Sequence, residues 1–600
     1  MRYIGFAMTI ARALPLPAPM VRLADHSADR RMLALAMAAL VIGTGGAVAA
    51  WVLLKLIALA TNIGWYGQFS FAPVAIGPAA QGWRTLAVPV VGSLIIGLMA
   101  RFGSDKIRGH GIPEAIEAIL FGQSRLSPKV AVLKPLSAAV SIGSGGPFGA
   151  EGPIIMTGGA IGSLLAQCFH LSASERKTLL VAGAAAGMTA IFGTPFAAML
   201  LGVEVLLFEW KPRSFVPVAV AALTAIAWRP WLIGAGPMFP LPMALSYDAV
   251  ALVGAVVLGL GVGAIASGLS WALYRIEDGF HGLPVHWMWW PAIGAVAVGI
   301  GGMIDPRVLG AGYDNIQALL LGSMVVKAIL LLLIVKAVVW LIALGSGTSG
   351  GILAPLLMLG GALGALAGHA LPGGVPLYAL AGMAAMMSAS MRAPLTASIF
   401  AVELTGRFDA LPVTAAASVA AYAIAVLVLR RSILTEKIAR RGRHLSQEYA
   451  VDPLSLVRVA QIMTPTPATL PATMTVNEAA RFFADADHRA YPVVDGKGRP
   501  VGLVSRADAL RWFDAPPEIG ATLREVVSDA ALPMVSPEWP VDRAAERMLA
   551  EDVNRLSVVD AQGVLVGLLA RRDLLRARSG WLSDEQDKRR FATMGRSFPV

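Results

Sequence analysis

Glu151 lies in the run GSGGPFGAEGPIIMTGGAIGSL (143–164), where no other residue carries a charge. A carboxylate is expensive to keep in apolar surroundings, and one kept there is a functional candidate. It sits in a glycine-rich turn, Gly149-Ala150-Glu151-Gly152-Pro153, that leads into a Pro-started apolar helix. A helix start presents unpaired N–H groups and roughly half a positive elementary charge, which together attract anions. The Glu151 carboxylate can occupy those N–H groups itself or leave them to a free anion. It therefore reads as a plug: charged, it fills the site; protonated or displaced, it vacates it. The competing reading is a structural cap facing water.

The turn recurs. GSGTSGGILAPLLMLGGALGAL (345–366) repeats the first run at an offset of 202, with Gly143, Gly149, Pro153, Met156, Gly158 and Gly159 all matched. Upstream, GHG at 109–111 matches GAG at 310–312, and downstream Ala182-Gly183, Pro195 and Glu204 match Ala381-Gly382, Pro394 and Glu403. Three blocks in one order at nearly one offset mark an internal duplication. The second copy supplies its own turn, Gly351-Ile352-Leu353-Ala354-Pro355. Two helix starts aimed at one point make an anion site without a buried cation. Duplicated membrane proteins place such sites where the copies meet.

The elements that must position these turns are membrane helices. Of 600 residues, 56% are hydrophobic and only 14% charged, well below the roughly 25% of soluble domains. Apolar stretches long enough to span a bilayer lie at 33–60, 86–100, 213–233, 248–275, 286–304, 324–344 and 411–429. Shorter, Gly- and Pro-broken runs at 111–121, 152–170, 352–371 and 394–405 read as discontinuous helices ending inside the membrane, where exposed helix ends are tolerated around a binding site. The net charge of +11 is assigned to cytoplasmic flanks rather than to nucleic-acid binding. Arg430, Arg431, Lys437, Arg440, Arg441 and Arg443 close the apolar body and put the C-terminal remainder of the chain in the cytoplasm. Residues 1–31 read as a short cytoplasmic leader, since Pro15, Pro17 and Pro19 break any signal-like core. The single cysteine, Cys168, excludes an intrachain disulfide and reads as a packing residue.

GHGIP (109–113), GAEGP (149–153) and GILAP (351–355), with LGAGYDNIQ (309–317) and MRAPLTASIFAVELTG (391–406), resemble the signature segments of the CLC chloride channel and transporter family. The resemblance implies a multi-pass α-helical membrane protein of two inverted repeats over 32–443, forming a homodimer with one anion pathway per subunit in the plasma membrane. It implies chloride as the transported ion and Glu151 as the gate. The anion ligands it implies are His110, Gly111, Ile112, Gly149, Gly152, Ile352, Leu353 and Leu434. There are departures. His110 stands where Ser is common, and either donates to an anion or caps its helix. Ala150 stands where Arg is common, and Leu353 replaces a frequent Phe. Leu434 falls where a tyrosine often closes the inner side. Val205 falls where exchangers of the family carry a proton-relaying glutamate, with Glu204 beside it. Valine cannot relay a proton, so the expectation is a gated channel. A proton-coupled antiporter with a non-standard proton route, through Glu204 or water, is the alternative.

After a linker at 444–458, a second duplication closes the chain. Residues 459–515 and 522–578 each carry a helix, a strand (YPVVD or LSVVD) and a final GLVSRAD or GLLARRD segment, and 579–600 form a basic tail. This pair is similar to a tandem CBS module, which implies a cytoplasmic α/β domain. That resemblance also implies an adenine nucleotide (ATP, ADP or AMP) held by Ser505, Asp508 and Asp573; the alternative is a dimerising module without a ligand. An enzyme is not expected: none of the eight histidines lies in HExxH. Acidic residues in the apolar body are too few and scattered for a divalent-cation site, so no metal is expected.

Overall fold

The computed structural model describes residues 31–169, 171–443, 454, 457–514, 517–518, 520–527 and 533–577. Apart from Arg31, Leu454, Val457 and Arg458, the expected leader, linker and basic tail lie outside them. The chain forms two compact units that divide between residues 448 and 449.

The first unit is all helix. Among the described residues eight helices are long and apolar enough to cross a membrane. Seven coincide with the stretches read from the sequence. The eighth, Gly374–Met391, is so enclosed by other helices that 83% of its apolar window is buried. Its mixture of Gly, Ala, Ser and Met dilutes the hydropathy by which spans are recognised, because a helix packed on all sides needs small surfaces rather than greasy ones. The short segments form interrupted helices, among them Ile112–Leu120, Glu151–Gln167, Leu353–Gly368 and Pro394–Thr405. Cys168 departs from expectation: it caps the C-terminus of the helix Glu151–Gln167 and is exposed.

The duplication is visible as matched contacts. A Cβ on Gly158 would fall 2.2 Å from the carbonyl oxygen of Gly183, and one on Gly183 would fall 2.0 Å from that of Gly158. Gly360 and Gly382 repeat this at 2.3 and 2.2 Å. Backbones this close allow no side chain between them, so each repeat needs glycine on both faces. Gly109, Gly111, Gly310 and Gly312 all take positive φ, which a β-carbon would strain. Those turns launch the helices Ile112–Leu120 and Tyr313–Leu320.

The second unit holds two small sheets. Strands β1 (Thr464–Pro465), β2 (Leu470–Pro471), β3 (Ala490–Val494) and β4 (Pro500–Ser505) come from the first copy. Strands β5 (Met534–Val535), β6 (Arg555–Val559) and β7 (Leu565–Ala570) come from the second. One sheet runs β2-β3-β4 and the other β1-β7-β6-β5, so β1 leaves its own copy. The leading segments undergo the same exchange. Val459 N–H donates to Trp539 C=O at 2.9 Å, while Leu523 N–H donates to Met474 C=O at 2.8 Å. Val459 accordingly packs in the core of the second copy, and Leu523 in that of the first. The packing units therefore do not coincide with the sequence copies.

Candidate functional site

The two glycine-rich turns meet. Gly149 N–H donates to Gly351 C=O at 3.1 Å and Gly351 N–H donates to Gly149 C=O at 2.8 Å, a reciprocal antiparallel bridge across the repeats. Beside it Gly109 N–H donates to Thr348 C=O at 3.2 Å. The first motif is pressed onto the second, since a Cβ on Gly152 would lie 1.8 Å from His110 C=O. Gly111 likewise abuts Met156 and Gly152. Ile112, Ile352 and Leu353 are fully buried. All three motifs thus converge on one seam.

Both site helices begin two residues before their prolines, at Glu151 and Leu353. Glu151 is therefore itself the first helical residue. Its side chain is fully buried, and its carboxylate approaches the backbone N–H groups of Glu151 itself and of Ala354, one from each repeat, without meeting full hydrogen-bond geometry. A Cβ on Gly149 would lie 2.0 Å from Oε2 of Glu151, and one on Gly351 would lie 2.4 Å from it. The carboxylate rests in a notch that only two glycines, one from each repeat, leave open.

Fully buried lysines hold the scaffold, and motif and hydropathy reading alone did not single them out. Lys134 Nζ donates to the carbonyls of Ile107 and Gly109 at 2.8 and 2.7 Å. Lys336, at the same offset of 202, donates to those of Val308 and Gly310 at 2.8 and 2.9 Å. Each clamps the backbone of its own Gly-x-Gly turn. Two lysines at the repeat offset inside apolar helices were the available signal.

The downstream glutamates are reciprocal caps. Glu204 accepts from the N–H groups of Leu395 and Thr396 at 3.3 and 2.7 Å, and from the Thr396 hydroxyl at 2.5 Å. Glu403 accepts from those of Phe196 and Ala197 at 3.1 and 2.8 Å. Each repeat caps the opposite repeat's Pro-started helix. Val205 is buried in a π-helical turn, Gly202–Leu207.

Beside the Gly109–Gly111 turn a cavity of about 560 Å³ reaches His110, lined by Arg108, Lys437, Arg440 and Arg441 and by Asp105, Glu277 and Asp278, with Tyr274 among its other residues. His110 is buried with Nδ1 unpartnered. Its side chain does not cap the helix after it, whose N-cap is Gly111 without a side-chain hydrogen bond. The Arg108 guanidinium stacks over Trp287, 4.6 Å from the ring centroid. Lys437 pairs with buried Glu114 at 2.9 Å, and Arg443 with Glu117 at 3.0 Å, pinning the last basic segment onto the helix Ile112–Leu120. Leu434 is fully buried. Beside it stands a tyrosine from a different element: Tyr274, on the helix Ala249–His281, donates to Ile433 C=O at 2.6 Å. On the Glu151 turn, the Tyr313 hydroxyl accepts from Ala150 N–H at 3.5 Å, and its ring packs on Phe239.

In the second unit, Asp508 accepts from Ser505 N–H at 2.9 Å and from its hydroxyl at 2.5 Å, and also pairs with Arg511. Asp573 accepts from Ala570 N–H at 2.8 Å. Both aspartates cap the helix after the last strand of their copy, Ser505 sharing in the first cap.

Residues 91–426 match the family described as voltage gated chloride channel, and 459–515 and 523–580 match the CBS domain. The chain is 28% identical over 381 residues to a ClcB-like chloride channel protein of Ralstonia nicotianae, covering 61% of this chain and 88% of that one. Its fold is similar to the crystal structure of a slow cyanobacterial Cl-/H+ antiporter (TM-score 0.60, 21% identity, 69% of this chain and 99% of that one). It is also similar to that of a eukaryotic CLC transporter (TM-score 0.57, 18% identity, 90% of this chain and 98% of that one).

Proposed function

This chain belongs to the voltage gated chloride channel family, and we propose on that premise that it conducts chloride across a membrane as a gated channel. The observation that carries the reading is the Glu151 carboxylate, buried in the notch between Gly149 and Gly351 beside the backbone N–H groups of Glu151 and Ala354. A charge so placed occupies the seam that an anion must use, next to the first turns of two helices. Chloride then binds to backbone N–H groups of Gly152, Ile352 and Leu353 when the carboxylate withdraws; Gly149, expected as a further ligand, keeps its N–H in the bridge to Gly351. The inner cavity, whose wall carries Arg108, Lys437, Arg440 and Arg441 together with Asp105, Glu277 and Asp278, gives an anion access to His110 and, next to it, Gly111 and Ile112. Leu434 contributes a buried apolar wall, and Tyr274 supplies the nearby phenol. We read the protein as a homodimer in the plasma membrane, with the CBS pair cytoplasmic.

The antiporter reading needs a proton route. Val205 offers no titratable group, and the Glu204 carboxylate is engaged at the start of the helix Pro394–Thr405. Both support uncoupled conduction. The deciding experiment records chloride and proton flux together in liposomes. A chloride gradient is expected to drive no uphill proton movement, and stoichiometric proton pumping would replace the channel with an exchanger. For the CBS pair we read an adenine nucleotide at Ser505, Asp508 and Asp573. Calorimetry on the full chain is expected to show Asp508→Ala weakening it by about 1–3 kcal/mol. Absence of heat with ATP, ADP and AMP would leave a structural module.

A further inference from the structure

A second cavity of about 450 Å³ opens elsewhere on the membrane unit, lined by Trp271, Arg275, Arg430, Arg431 and Arg440 together with Ser270, Ser432 and other residues. It lies between the end of the helix Ala249–His281 and the segment after the helix Leu411–Val428. Four arginines face two carboxylates there, Asp278 and Glu436. Those carboxylates are shared by two of the arginines: Arg440 bonds Asp278 and also Glu436, and Arg431 pairs with Glu436 at 3.4 Å. Among the described residues Arg275 and Arg430 make no salt bridge within 4.0 Å, although Arg275 lies within electrostatic reach of Asp278, which Arg440 already engages. Arg275 is held instead against Trp271, 5.5 Å from the ring centroid.

Immediately beside this basic cavity the surface is apolar. Leu427 and Val428, the residues leading into Arg430, are 81% and 62% exposed, and Trp271 is 59% exposed. An exposed tryptophan, bare aliphatic side chains and arginines in one place mark the level where hydrocarbon gives way to headgroups. Arginine binds phosphate oxygens in a planar, two-pronged geometry, and basic pockets between membrane helices suit anionic headgroups.

We propose that this cavity is a binding site for an anionic phospholipid. Its phosphate is taken by Arg275 and Arg430, and its acyl chains lie along Leu427, Val428 and Trp271. A free phosphate shares the headgroup chemistry but gains nothing from the apolar face, so the lipid is the favoured occupant. Tyr274, Asp278 and Arg440 also line the cavity that reaches His110, so a bound headgroup touches the wall of the anion vestibule.

The test is equilibrium binding of fluorescent phosphatidylglycerol to the full-length protein in neutral detergent, with fluorescent phosphatidylcholine as reference. Wild type is expected to prefer phosphatidylglycerol. Arg275→Gln and Arg430→Gln should each reduce that preference about fivefold, as roughly 1 kcal/mol per basic residue implies. Arg125→Gln with Lys129→Gln removes two exposed cations outside the cavity and should change nothing. Equal losses from both sets would reduce the effect to general surface charge and overturn the site. Displacement of the lipid by millimolar inorganic phosphate, at matched ionic strength, would overturn the lipid in favour of a soluble phosphate ligand. The readout is independent of transport, so it stands or falls apart from the channel reading.

Discussion

The two repeats build the same frame and then put different chemistry in it. Lys134 and Lys336 clamp equivalent turns, Glu204 and Glu403 cap each other's helices, and paired glycines set the same close helix packing. At the first helical position after each turn the equivalence ends: Glu151 in one repeat, Leu353 in the other. Duplication supplies the frame because converging helix starts need two of everything. The gate proposed for Glu151 needs one movable charge, and a second carboxylate at the same seam would repel the first. The asymmetry therefore marks where scaffold stops and function begins.

The shared frame is most vulnerable at the lysines. Lys134→Met and Lys336→Met each strip the donor from two buried carbonyls, at a cost of about 2–4 kcal/mol in stability. Thermal unfolding in detergent should show comparable losses for both, with Lys134→Met somewhat the larger because its Nζ also reaches Ser349 at 3.3 Å. A harmless Lys336→Met would mean that the second frame is not needed.

Next comes the charge itself. Protonating Glu151 removes its charge from the seam, so chloride flux into liposomes should rise as pH falls. Glu151→Gln and Glu151→Ala should remove that part of the pH dependence and raise flux at neutral pH, on the order of tenfold for a competition of about 1.4 kcal/mol. His110→Ala should leave the Glu151-dependent part intact. The mirror experiment is Leu353→Glu, which gives the second repeat a carboxylate and should lower flux in a pH-dependent way. Identical flux in wild type and Glu151→Ala at every pH would make the residue structural.

The glutamate caps should matter less. Glu204→Gln and Glu403→Gln keep an acceptor but lose the charge at a helix start, worth about 0.5–2 kcal/mol each. The expectation is a modest drop in thermal stability for both and no change in the chloride-to-proton ratio for Glu204→Gln. A changed ratio would return Glu204 to a proton route.

The smallest effect is expected at Tyr313, which has no counterpart hydroxyl in the first repeat, where Ile112 follows the equivalent glycine Gly111. Its hydroxyl accepts only a long hydrogen bond from Ala150. Tyr313→Phe keeps the ring on Phe239 and should shift the pH of half-maximal flux by a few tenths, about 0.5 kcal/mol or less. A larger shift would make the phenol a direct partner of the Glu151 carboxylate.

Residue type, hydropathy and spacing alone dictate the membrane body, the two duplications, the paired glycine-rich turns and the singular position of Glu151. GHGIP as a third site segment comes from the family resemblance, and its meeting with the other two is decided by packing. Pattern alone does not dictate what the other buried charges do. Glu204 and Glu403 are matched in the sequence, yet only the packed helices make each the cap of the opposite repeat. Lys134 and Lys336 stand inside apolar helices, and their partners are backbone carbonyls, which have no sequence signature. Tyr274 reaches the neighbourhood of Leu434 from a helix more than a hundred residues away, so no local pattern could supply it. The helix Gly374–Met391 has the lowest hydropathy of the eight spans, and its neighbours, not lipid, surround most of it. The two CBS copies were legible as sequence, while the exchange of their leading segments was not. Strand pairing and core burial are settled by which surfaces meet, and both copies offer the same local pattern to either partner.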